Sequence, residues 1–247
     1  MHETLEVTVA DNGVATITFN RPQVLNAFNR AMLTEFQTAL DELEEREDAH
    51  VIVMRANGRA FCAGMDIGWS EQLTPKDRVE QNRLGQRTLA TIDRMGTPVI
   101  AAVHGYALGG GLEVALACDF IVAADDARLG LPEITLSARP PYRPRITEEG
   151  DPDQPEFGGV VPGWGGPRRL PERVGKAIAK ELMLTGEYVD AQRALAIGLV
   201  NRVYPKEEFD EQVAALADRM AAMNPYNVRL IKEVVNHGYD ILEPHPR

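Results

Sequence analysis

Short β-rich runs and stretches with an apolar residue every three or four positions take turns along this chain, and that alternation constrains its fold more than any other feature. Leu5–Val9 and Val14–Phe19 flank Asp11-Asn12-Gly13, a pair of strands joined by residues suited to a tight hairpin. Residues 30–45 place Met32, Leu33, Phe36, Leu40 and Leu43 on one face of a helix, and residues 51–55 follow as a short buried strand. A weaker helical pattern over 74–95 carries Leu84, Leu89 and Ile92; Gly96-Thr97-Pro98 then leads into a strand over Val99–Val103. Residues 112–118 read as helix and 120–123 as strand. This order predicts an α/β fold with largely parallel pairing. Helical patterns over 174–184, 209–223 and 226–237 predict a C-terminal helical region, with Asn224-Pro225 as a boundary inside it.

The 247 residues suffice for one large domain, and no apolar run approaches the length needed to span a bilayer. The first residues lack a basic segment followed by an apolar one, which argues against a secretory signal and leads us to expect a cytoplasmic protein. A formal net charge of -11 repels nucleic acid and anionic membrane, so neither is expected as a partner. Two unpaired cysteines, Cys62 and Cys118, and five scattered histidines suggest neither a disulfide framework nor a metal site.

Two segments read as loops, 57–66 and 104–111, leave the ends of expected strands, where α/β folds commonly bind ligands. In the second, Gly109-Gly110-Gly111 runs into a helix, so backbone N–H groups are unobstructed and the positive end of the helix dipole lies behind them. Such an arrangement favours a negative oxygen. Taken singly, three glycines also fit a flexible turn, and Asp66 in the first loop fits a helix cap. The phosphate-loop pattern GxxxxGK[ST] is absent. Arg168 and Arg169 read as a solvated surface pair and are not counted in the site.

In order along the chain, NRPQVLNAF (20–28), FCAGMDI (61–67), HGYALGGGLEVALACD (104–119), LPEI (131–134), PGWGGPRRLPERVG (162–175) and LTGEYVDAQRALAIGLVNRV (184–203) resemble the signatures of the crotonase (enoyl-CoA hydratase/isomerase) superfamily, closest to enoyl-CoA hydratase. The resemblance implies a spiral of ββα units with a C-terminal helical region, assembled as a homotrimer or dimer of trimers. It places an oxyanion hole on the N–H groups of Met65 and Gly110 and catalytic carboxylates on Glu113 and Glu133. Ala63, Asp66, Ile67 and Gly68 fall where the family binds its substrate. The implied substrate is an acyl-CoA thioester, with coenzyme A part of the substrate and no further cofactor or metal. The implied reaction is hydration of a 2-enoyl-CoA to a 3-hydroxyacyl-CoA, in which one acid protonates Cα while the other activates water.

The chain departs from the family pattern in two places. A proline-rich insertion of roughly twenty residues, 137–158, follows Glu133. The region 196–247, after a spiral core over 1–195, is shorter than in many relatives. Two alternatives therefore stay open: another enolate reaction of an acyl-CoA (isomerase, hydrolase or decarboxylase), or a non-catalytic acyl-CoA-binding or assembly protein.

Overall fold

The computed structural model describes residues 3–136 and 161–238; the insertion expected over 137–158 lies outside them. The chain opens with β1 (Leu5–Val9) and β2 (Val14–Phe19), the expected antiparallel hairpin, and continues into α1 (Arg30–Glu44). Asn29 caps α1 by accepting from Met32 N, and the predicted apolar stripe from Met32 to Leu43 is buried. Three turns of strand, strand, helix follow. The first is β3 (Val51–Ala56), β4 (Ala60–Cys62), a short α2 (Ile67–Ser70) and α3 (Pro75–Arg94). The second is β5 (Val99–Val103), β6 (Tyr106–Leu108) and α4 (Gly110–Ala117). The third is β7 (Phe120–Ala124), β8 (Arg128–Gly130) and a short α5 (Glu133–Leu136). After the undescribed segment come α6 (Gly166–Thr185), β9 (Val189–Asp190), α7 (Ala191–Ala196), β10 (Arg202–Tyr204), α8 (Phe209–Ala221) and α9 (Pro225–His237).

Each turn sends its first strand to one sheet and its second to another. The larger sheet has the order β1-β2-β3-β5-β7-β10, parallel from β2 onward; the smaller has the order β4-β6-β8-β9, with β4, β6 and β8 parallel. This is the expected α/β spiral. The period of two explains how the larger sheet is covered. Ile52, Met54, Val99, Ala101, Ile121 and Ala123 face the main core, while Val51, Val53, Ile100, Ala102, Val122 and Ala124 face a second core closed by Phe209, Val213 and Leu216 of α8.

Two sequence expectations need correction. The segments 57–66 and 104–111 are not loops throughout, since each contains a strand of three residues, too short to show an alternating pattern. The helix expected over 174–184 begins at Gly166 and carries Pro171 within it, with a break at Gly175.

Candidate active site

The smaller sheet sets the site's frame. Met65 lies three residues past the end of β4, Gly110 two past the end of β6, and Glu133 three past the end of β8; these strands are parallel neighbours in that order. Three successive turns of the spiral thus deliver one group each to the same end of one sheet.

The first two groups are backbone donors. A bridge between Phe28 and Met65 is made by Phe28 N–H donating to Gly64 O (2.8 Å) and Asp66 N–H donating to Phe28 O (2.9 Å). Alternation of the extended backbone turns the N–H of Met65 itself to the other side. Gly110 opens α4, where no carbonyl one turn earlier is available within the helix. Among the described residues, neither N–H donates to a backbone acceptor.

Close packing joins the two segments. A methyl group on Gly111 would lie 2.2 Å from Cys62 O, and one on Gly64 would lie 2.9 Å from Leu108 O and 3.5 Å from Gly110 N. Only glycine permits this approach of backbone to backbone. Cys62, sealed beneath the turn, has its thiol pushed up to about 12 by burial, which leaves it unreactive.

Glu113 is 2 % exposed on the first turn of α4. Its Oε1 accepts from Trp164 N–H at 2.8 Å and Gly166 N–H at 2.7 Å. Burial pushes its carboxyl above the usual range, opposed by those two N–H groups and by the Arg169 guanidinium. Glu133 is half-buried, and its Oε2 has no hydrogen-bond partner among the described residues. Burial, with the Glu113 charge adding to it, pushes its carboxyl up to about 7. Its Oε1 would come within 3.0 Å of a methyl group on Gly109, so it sits against the start of α4.

A cavity of about 300 Å³ brings together Ala63, Met65, Ile67, Gly110, Glu113 and Glu133. Asp66 and Gly68, named with them from the sequence, are not among its lining residues. Asp66 caps α2 by accepting from Trp69 N–H and pairs with Arg21 at 3.1 Å. Among the described residues no group of three or more His, Cys, Asp or Glu is arranged to hold a metal ion.

Sequence reasoning missed the segment that holds Glu113. Trp164 is buried, packs edge-on against Phe28 with ring centroids 5.4 Å apart, and lines the cavity. The signal was present in Gly163-Trp164-Gly165-Gly166 before a helix, another glycine-rich turn with exposed N–H groups. Arg169 is also corrected: it is buried rather than solvated, with Nη1 donating to Trp164 O at 3.0 Å and its other nitrogens paired with Asp93 on α3. Arg168 is exposed as expected, though it also pairs with Asp93.

The family model described as enoyl-CoA hydratase/isomerase matches residues 9–143 and 154–246. A crotonyl-CoA hydratase of Syntrophomonas wolfei is 35% identical over 226 residues, covering 91% of this chain and 78% of the relative. A probable enoyl-CoA hydratase of Mycobacterium bovis is 38% identical over 230 residues, covering 93% and 80%. Among solved structures, an enoyl-CoA hydratase from Bacillus anthracis superposes with a TM-score of 0.85 at 33% identity, covering 98% of this chain and 85% of that one.

Proposed function

The chain belongs to the crotonase (enoyl-CoA hydratase/isomerase) superfamily, and from that premise we propose that it adds water across the double bond of a 2-enoyl-CoA to give a 3-hydroxyacyl-CoA. The observation that carries this reading is the convergence of two raised-pKa carboxylates and two backbone donors on one cavity.

In the proposed reaction the thioester oxygen lies between the N–H groups of Met65 and Gly110. Water attacks Cβ as Glu113 accepts its proton; the displaced π electrons move toward the thioester oxygen, whose growing negative charge the two donors stabilise. One such donor is typically worth about 2.7 to 4 kcal/mol in the transition state. Glu133 gives its proton to Cα, and transfer of a proton from Glu113 to Glu133 resets the pair. Burial suits Glu133 to this role, because an acid titrating near 7 still holds its proton close to neutral pH. Ala63 and Ile67, the latter 60 % exposed, offer apolar surface to the coenzyme A portion. Asp66 and Gly68 support that surface by forming the cap and first turn of α2.

Hydration of crotonyl-CoA, followed by loss of the enoyl absorbance and by product mass, tests the reading. Glu113→Gln and Glu133→Gln are each expected to lower kcat by roughly 10²- to 10⁴-fold. An isomerised, hydrolysed or decarboxylated product would replace the hydratase reading with another enolate reaction of the family. Tight binding without turnover would leave a non-catalytic acyl-CoA binder.

Assembly as a trimer or dimer of trimers is part of the same proposal, supported by family membership. Among the described residues no helix is long and apolar enough to cross a membrane.

A further inference from the structure

One wall of the cavity comes from α2 and α3 rather than from the strand ends, and it is furnished with hydrogen-bond donors. Gln81 is 4 % exposed, and its Nε2 is buried with no hydrogen-bond partner among the described residues. Arg78 lies three positions earlier, on the same face of α3, and also lines the cavity. The one hydrogen bond of its guanidinium among the described residues is a long one, from Nε–H to Leu73 O at 3.4 Å, and among those residues it has no carboxylate partner. It is the only cationic side chain among the described lining residues. Neither group has a part in the hydration chemistry above.

We propose that the acyl chain of the substrate ends in a carboxylate, which the Gln81 amide and the Arg78 guanidinium receive together. The inference rests on the hydratase reading and specifies its substrate class. Arg78 carries donors only, and the Gln81 amide, which lies between this cavity and a neighbouring hollow beside Trp69, carries one that is unmet, so the complementary group is an acceptor, and a carboxylate uses an amide and a guanidinium at once. A hydrocarbon chain in the same place would leave the Gln81 donor as unmet as it is in the free protein, whereas a carboxylate would satisfy it, which favours the carboxylated substrate. The cavity already holds two acids, Glu113 and Glu133, so a third carboxylate is admitted only where a cation offsets it; Arg78 supplies that charge.

The test compares kcat/KM of the purified protein for glutaconyl-CoA and its one-carbon-longer homologue with the two isosteres in which an isopropyl group replaces the carboxylate. The carboxylated member of at least one pair is expected to be favoured about tenfold or more, and Arg78→Met and Gln81→Leu are each expected to cut that ratio about tenfold. Because both substrates are measured on a single preparation, a partly misfolded variant does not distort the ratio. A wild-type ratio at or below one for both pairs overturns the proposal. So does a ratio that neither substitution moves, since the donors would then serve the coenzyme A portion common to all four substrates, or a structural water. If the isopropyl substrates are hydrated and the carboxylated ones are not, this proposal falls alone; if none of the four is hydrated and crotonyl-CoA is also untouched, the hydratase reading falls with it.

Discussion

Glu113 and Glu133 carry the same side chain in opposite circumstances. One has an oxygen fixed by two backbone donors, while the other has an oxygen buried with no partner among the described residues. The difference has a measurable sign. Since the folded-state value of Glu133 lies near 7 and the usual one near 4.5, the folded state binds more protons across that window, and the stability of the wild type falls as pH rises through it. Glu133→Gln, which carries no charge, escapes this loss. Chemical denaturation is expected to show the variant gaining on the order of 3 kcal/mol over the wild type between pH 4.5 and pH 8. A difference independent of pH would mean that Glu133 is not held as described. Under the proposed reaction the same titration predicts that kcat/KM falls above about pH 7, as Glu133 loses the proton that this reaction gives to Cα. Any residual activity of Glu133→Gln should lack that limb. Both acids were legible in the sequence through the motifs around them, but their environments were not: the donors to Glu113 lie more than fifty residues away along the chain.

Among the elements, α1, α8 and α9 are legible over nearly their whole length, α6 only over its second half, and the three-residue strands not at all. α1 declares itself through six buried positions at helical spacing, and α3 more weakly through Leu84, Leu89 and Ile92; in the structure a Thr74–Asp77 capping box starts it. By contrast β4, β6 and β8 have three residues each and owe their extended form to their neighbours in the sheet. Arg169 was misread because charge in a sequence suggests solvent, whereas its ion pair with Asp93 ties α6 to α3 across the back of the Trp164 turn. Contact between elements also sets the tolerance at Gly111. A methyl group there meets the backbone of β4, so Gly111→Ala must push α4 and the Gly110 N–H away from Met65. We expect roughly 10²-fold lower kcat from such a displacement, together with a loss of about 1 to 3 kcal/mol in stability. Unchanged turnover would show that the position of α4 is not critical.

For the molecule as a whole, the alternation of strand and helix is legible in the sequence, and the strand, strand, helix unit is implied only by the family resemblance; the division of strands between two sheets is not legible, because the second strand of each turn has only three residues and shows no pattern. The proposed assembly makes a prediction at this scale: light scattering should give three or six chain masses, and a monomer at micromolar concentration would refute it. The placement of Met65, Gly110 and Glu133 past three adjoining strands has a further consequence. Their separations follow from the step between neighbouring strands, about 4.8 Å, much as the teeth of a comb inherit the pitch of its spine. With the thioester held by the first two as proposed, evolution can exchange the side chain on the third tooth for a different chemistry, so that new reactions arise without any need to rebuild the scaffold.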